Sequence, residues 1–313
     1  MADPDLRTPA ADVDLVREGR LAVRDIELAY FEWGRRAGPT VLMLHATGFH
    51  ARCWDGVIRA MGESMHVIAV DQRGHGRSAK TPPYNWAEFG SDAAAVVEAL
   101  DLDDIIGVGH SMGGHAIVQA AGMHPDRFRA LLLVDPVILD PGSYARPAPF
   151  RSALEHPVSR RRHRWTSPAE MFERFKDRHP FSLWQPDMLM DYCRFGLEPN
   201  DEGFVLGCPP EVEASIYMGS AGRDIRAVIG TLSQPVVVLR AKGRTPPGQD
   251  GGAMDFSRSP TWPGLAAAFP NGRDVHYPEL SHFMPMQAPV LVAEQIASLA
   301  SVEFSLHSRR ARC

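Results

Sequence analysis

The sequence predicts an α/β fold, a mostly parallel central sheet flanked by helices, with a helical segment inserted into the second half. Three observations carry that prediction. Short apolar runs, most of them β-branched, at 41–44, 67–70, 105–108, 131–134 and 235–239 alternate with stretches of helical periodicity, the pattern of parallel strands covered on both faces. Residues 136–230 break that alternation with a Pro-rich entry, Arg- and aromatic-rich helical runs and no convincing strand. At 313 residues the chain can build one large domain with an insertion and does not need three separate cores.

Taken in order, residues 1–19 are polar and Pro-containing and read as a loose lead-in. Residues 21–33 alternate apolar and polar around Asp25, which predicts an antiparallel hairpin at one sheet edge. The core then occupies 20–135 and resumes at 231–306, where a strand at 235–239, a helix at 260–269 and a last strand at 274–277 are expected. Between them, 136–230 is expected to form a helical cap with helices over 168–178, 187–195, 209–218 and 223–231. The charged residues 307–313 form a short tail.

Composition narrows the function classes. A hydrophobic content of 44% and a net charge of −5 describe a globular protein with no electrostatic case for binding nucleic acid. No stretch reaches membrane-spanning length, and the acidic start Met1-Ala2-Asp3-Pro4-Asp5 lacks the basic and apolar parts of a signal peptide, so a cytoplasmic protein is expected. Cys53, Cys193, Cys208 and Cys313 form no C-x-x-C pair, which argues against structural zinc and a disulfide framework and for buried thiols.

The chemistry concentrates at Gly109-His110-Ser111-Met112-Gly113, a G-x-S-x-G pentapeptide between the apolar run Ile105-Ile106-Gly107-Val108 and an amphipathic stretch. In that setting Ser111 sits where a strand turns sharply into a helix, a nucleophile elbow. Gly109 and Gly113 are needed where strand and helix backbones approach too closely for a Cβ. The first amides of the helix then point at the place where a developing oxyanion would lie.

Three further segments follow the same logic in order. His45-Ala46-Thr47-Gly48-Phe49 leaves a strand, Asp71-Gln72-Arg73-Gly74-His75-Gly76-Arg77-Ser78 leaves the next, and Leu280-Ser281-His282-Phe283 lies near the end of the chain. With the pentapeptide, these resemble the α/β-hydrolase superfamily over most of the length, as a serine esterase-like member with a helical cap. The resemblance implies that His282 is the base for Ser111, and that the oxyanion donors are the amides of Met112 and, from the His45 loop, Thr47. Ala46 stands where the family usually has Gly. His45, His75 and His110 are expected to support loops.

The acid that orients His282 is where the chain departs from the family. The usual position after the strand at 235–239 is Arg244. Asp135, at the end of the strand at 131–134, occupies a place that some members, including haloalkane dehalogenases and certain esterases, use for their acid. Asp135 is therefore the choice. Asp255 remains the rival, just ahead of the expected helix at 260–269, with Asp250 beside it in the same long loop.

The resemblance implies a serine hydrolase acting on carboxylic esters through an acyl-serine intermediate, with no metal or organic cofactor. The same constellation also serves carbon–carbon bond hydrolysis, lactone opening and cofactor-free peracid formation, and a hydrolase-fold ligand receptor is an alternative of another class. The expected partner is a small apolar or aromatic ester, with Trp165 and Trp184 as candidate substrate-binding residues in the cap. The run Arg160-Arg161-Arg162-His163-Arg164 reads first as a solvated face.

Overall fold

A computed structural model describes residues 16–62, 65–145, 150–220, 224–243 and 255–301. Strands β1 (Arg17–Val23) and β2 (Ile26–Trp33) form the expected hairpin, which turns at Arg24 with a φ of 52°. It starts within the expected lead-in. Arg17, Glu18 and Gly19 pair with Glu32, Phe31 and Tyr30, and Arg17 makes a 3.0 Å ion pair with Glu32, so backbone pairing extends the strand past the alternating pattern. Residues 1–15 and the tail at 307–313 lie outside the described residues.

The parallel part runs β3 (Thr40–Leu44), α1 (Asp55–Met61), β4 (His66–Val70), α2 (Trp86–Ala99), β5 (Ile105–His110), α3 (Met112–Met123) and β6 (Phe128–Val134). The insertion follows, with β7 (Arg164–Trp165), α4 (Pro168–Phe175), α5 (Pro186–Phe195), β8 (Leu197–Asn200), β9 (Gly203–Leu206), α6 (Pro210–Met218) and α7 (Arg226–Ile229). The chain then closes with β10 (Val236–Arg240), α8 (Leu265–Ala268), β11 (Gly272–His276), α9 (Met284–Gln287) and α10 (Pro289–Ser301).

Among the described residues the central sheet has eight strands in the order β1-β2-β4-β3-β5-β6-β10-β11, antiparallel at β1-β2 and β2-β4 and parallel from β4 onward. Successive side chains of a strand face opposite sides. Leu42 and Leu44 thus join the core under α2 and α3, while Val41 and Met43 join that under α1 and α10. Register places the site. Leu44 pairs with Gly109, His110 with Val134 and Val134 with Leu239, so the carboxyl ends of β3, β5, β6 and β10 lie side by side, where open parallel sheets take their ligands.

The insertion differs from the expected all-helical segment. β7, β9 and β8 form a three-stranded sheet in that order. The strands are short, β8 carries Pro199 on an edge where a missing N–H is tolerated, and β7 pairs across a long separation, so no local pattern announces them. The helices begin with clear signals: Ser167 accepts from the Glu170 amide at the start of α4, with Pro168 in the first turn, and α5 and α6 also open on Pro. The helix expected at 260–269 shortens to α8, because Pro260 and Pro263 hold the chain out of helical geometry until Gly264. That at 223–231 shortens to α7, and Arg223 lies outside the described residues.

Cys53, Cys193 and Cys208 are buried free thiols, and burial pushes all three up from the usual thiol range. Among the described residues no helix is long and apolar enough to cross a membrane.

Candidate active site

Ser111 occupies the turn between β5 and α3 with φ 56° and ψ −118°, a left-handed conformation that costs a non-glycine residue free energy and is held by its surroundings. Its N–H donates to Val134 O at 3.2 Å, and its carbonyl accepts from the amides of Gly114 and Val137 at 3.1 and 3.0 Å. A Cβ on Gly109 would lie 2.3 Å from Gly113 O, and one on Gly113 would lie 2.1 Å from Leu44 O. Both glycines are thus required by close backbone approach, as the pentapeptide predicts.

His282 and Asp135 meet at this turn. His282 Nε2 is 3.0 Å from Ser111 Oγ, and His282 Nδ1–H donates to Asp135 Oδ2 at 2.6 Å. With the proton on Nδ1, the Nε2 lone pair faces the serine hydroxyl, the tautomer a base needs. Ser111, His282 and Asp135 are 6%, 8% and 0% exposed, so the hydrogen bonds run through a nearly water-free space. The histidine backbone is fixed too: its N–H donates to Ser257 O at 2.7 Å, and its carbonyl accepts from His110 Nε2–H at 2.8 Å.

Asp135 directly follows β6 with a φ of 43° and is surrounded by donors. Its Oδ1 lies 3.0 Å from the Ala241 amide, 2.5 Å from Ser259 Oγ and 3.2 Å from Thr261 Oγ1. Burial raises its carboxyl, but the donors from His282, Ser259 and Ala241 outweigh burial and hold it below the usual carboxylate value. Asp255 makes no hydrogen bond or ion pair with His282. It accepts from the Ser257 amide and hydroxyl at 2.9 and 2.6 Å and from Arg258 Nε at 3.2 Å, donors that outweigh its partial burial and bring its carboxyl down to about 2. Arg244 and Asp250 lie outside the described residues. In the sequence Ser259 and Thr261, hydroxyls in a polar loop, carry no distinguishing signal.

On the other side of Ser111, Thr47 and Met112 touch, with Thr47 Oγ1 3.4 Å from Met112 Sδ. Two neutral histidines build the loop that carries Thr47. His45 Nδ1–H donates to Ala46 O at 2.8 Å while its Nε2 accepts from the Gln72 amide at 3.0 Å. His75 Nε2 accepts from the Gly48 amide at 2.9 Å, and its Nδ1–H donates to Arg73 O at 3.0 Å. Burial pushes His45 well below the usual histidine range and His75 to about 4, so both are neutral scaffolding. Asp71 ties the next loop in by accepting from the amides of Ala51 and Arg77, each at 2.7 Å.

Aromatic rings from the insertion cover the histidine side. Trp184 packs against Phe49, Tyr192 and Phe283 with ring centroids 5.3–5.7 Å apart, and Phe283 lies 5.5 Å from the His282 ring. Trp165 is 3% exposed within the insertion's own packing, 5.4 Å from the Phe175 ring and under the Arg162 guanidinium at 4.1 Å. The arginine run is only partly a solvated face. Arg161 turns inward, pairs with Glu213 at 2.5 Å and donates to the Tyr192 hydroxyl at 2.9 Å, because that carboxylate is itself buried and needs a charged partner. Arg161 thereby lines a cleft with Gly48, Phe49, His50 and Tyr192 beside the His45 loop.

Comparison with known proteins bears on the family and the fold. The sequence model described as "Alpha/beta hydrolase family" matches residues 41–295. Curated relatives match over shorter spans. A bifunctional esterase/perhydrolase of Acinetobacter calcoaceticus is 31% identical over 111 residues, 34% of this chain and 40% of that protein. A non-heme chloroperoxidase of Burkholderia pyrrocinia is 34% identical over 97 residues, 30% of this chain and 35% of that protein. Each match thus spans less than half of the relative. Among solved structures, E-2-(acetamidomethylene)succinate hydrolase superposes with a TM-score of 0.71 at 21% identity, covering 92% of this chain and all of the other. An esterase of Thermogutta terrifontis gives 0.64 at 23% identity, covering 90% of this chain and 97% of its own. At these identities the likeness is one of fold.

Proposed function

The chain belongs to the alpha/beta hydrolase family, and from that membership we propose that it is a serine hydrolase that cleaves small carboxylic esters through an acyl-serine intermediate. The observation that carries this reading is the unbroken hydrogen-bond series from Ser111 Oγ through His282 to Asp135.

In the proposed reaction Ser111 Oγ attacks the ester carbonyl carbon while its proton moves to His282 Nε2. The carbonyl oxygen becomes an oxyanion and accepts from the backbone amides of Met112 and Thr47. Asp135 holds the imidazole in its reactive tautomer and stabilises the imidazolium. The tetrahedral species collapses as His282 returns the proton to the leaving alkoxide, which departs as the alcohol. A water then enters, His282 takes one of its protons, and the hydroxide adds to the acyl carbon. The second collapse releases the carboxylic acid, with the proton going back to Ser111. Residues 136–230 act as a cap whose rings, Trp184 foremost, line the acyl or alcohol pocket. The aromatic wall of Phe49, Trp184 and Phe283 supports an apolar or aromatic substrate.

The test is p-nitrophenyl acetate turnover combined with mass analysis after treatment with a serine-directed phosphonate. One phosphonyl group on Ser111, with loss of turnover in step, is expected. Turnover by a Ser111→Ala variant, or modification elsewhere with Ser111 free, would overturn the reading.

A further inference from the structure

We propose that the segment 255–261 is a positioning clamp for the Asp135–His282 pair, and that Ser259 is the residue through which it orients the Asp135 carboxylate. The proposal rests on the serine-hydrolase reading above. Asp135 leaves β6 beside β10, so the chain that follows β10 is free to bring donors rather than an acid. It reaches both partners. Ser257 O accepts the His282 backbone N–H at 2.7 Å, and Ser259 Oγ lies 2.5 Å from Asp135 Oδ1.

The proton count singles out Ser259. Thr261 has one hydroxyl proton and two acceptors within reach, Pro136 O at 2.7 Å and Asp135 Oδ1 at 3.2 Å, and the shorter contact takes it. The Thr261 amide donates to Ser259 Oγ at 3.2 Å, which leaves the Ser259 hydroxyl proton for Asp135. The side-chain donor on Oδ1 is therefore Ser259, beside the main-chain donor Ala241. With Oδ1 pinned from two directions the carboxylate cannot rotate, and Oδ2 stays aimed at His282 Nδ1.

The clamp is itself braced. Asp255 caps the Ser257 amide and hydroxyl, the Ser259 amide donates to Lys242 O at 2.8 Å, and the Lys242 amide donates to Leu280 O at 3.0 Å on the histidine loop. Beyond it the Trp262 amide donates to Ile138 O at 2.9 Å, just after the acid. Among the described residues the ionisable groups around the pair include Asp255, which is engaged by Arg258 at 3.2 Å and His179 at 3.5 Å. The His110 ring stands 5.0 Å from that of His282, Arg240 is engaged by Asp274, and His179 reaches Ser257 Oγ at 3.1 Å.

The experiment compares wild type, Ser259→Ala and the hydroxyl-retaining Ser259→Thr. It measures kcat and KM on p-nitrophenyl acetate per phosphonate-titrated site, the acid limb of the kcat/KM profile, and the low-field proton resonance of the His282–Asp135 hydrogen bond. Ser259→Ala should lower kcat about tenfold with KM within about twofold, move the acid limb to higher pH because a less compensated carboxylate holds the imidazolium proton more tightly, and shift or broaden the resonance. Ser259→Thr should restore all three. Wild-type kcat, limb and resonance in Ser259→Ala would overturn the proposal, as would a lower kcat with limb and resonance unmoved, the pattern of a merely structural role. Turnover by Ser111→Ala would instead strike the hydrolase reading, and the resonance, assigned by its loss in Asp135→Asn, still judges the clamp.

Discussion

Two layers meet at Ser111, and they are held by different forces. On the sheet side each of the three polar groups stands on backbone that other backbone fixes: Ser111 through Val134 and Val137, His282 through Ser257, Asp135 through Leu239. Around Trp184 the insertion's contacts are ring against ring, and the buried Trp165 and Trp184 indole nitrogens meet no acceptor among the described residues. Hydrogen-bonded backbone fixes direction within a fraction of an ångström, whereas aromatic packing fixes volume and polarity. The sheet side is therefore suited to define the reaction and the insertion to define what enters.

The largest expected effects break the sheet side. Under the proposed mechanism Ser111→Ala and His282→Ala should each lower kcat for a p-nitrophenyl ester by on the order of 10⁶, since a nucleophile and its base act as a unit, with circular dichroism unchanged. A variant that keeps measurable kcat would detach that residue from the chemistry. Next, Asp135→Asn should cost about 10⁴ in kcat by favouring the wrong histidine tautomer, while Asp255→Asn should cost at most about tenfold because that carboxylate braces a loop. The reverse ranking on one ester would move the acid to the other loop.

The insertion should answer differently. Trp184→Ala is expected to change the ratio of kcat/KM between short and long acyl esters by about tenfold while leaving kcat on the best ester within about tenfold. A uniform loss as large as that of Asp135→Asn would erase the division between the layers.

The smallest effect is on stability. The Asp135 carboxyl is held below its ordinary value in the fold, so the unfolded chain takes up that proton first as pH falls. Its contribution is full above about pH 4 and is lost below, which means that stability rises with pH across that window. Between about pH 5 and 3 the melting temperature of wild type should fall more steeply than that of Asp135→Asn, by about 2–4 °C. Parallel slopes would mean that the donors around Asp135 do not favour its charged form.

The core strands and the Ser111 turn could be read without a structure, because their signals are local: apolar runs of strand length, and glycines two residues either side of a serine where backbones must touch. The strand runs were foreseen within about two residues at their carboxyl ends, and the hairpin only from its apolar half, since backbone pairing does not require apolar side chains. That Asp135 would lie against His282 came from resemblance rather than from any property of an aspartate before a proline. Tertiary structure alone decided the rest. It set the Asp135 carboxylate against His282 Nδ1 across the sheet, and it brought Ser259 onto Asp135 over a separation of 124 residues. It also turned Arg161 inward to a buried glutamate and paired Arg164–Trp165 with β9. In each of these the partner lies far along the chain, and the free energy comes from desolvation and hydrogen-bond geometry that exist only once the layers have closed.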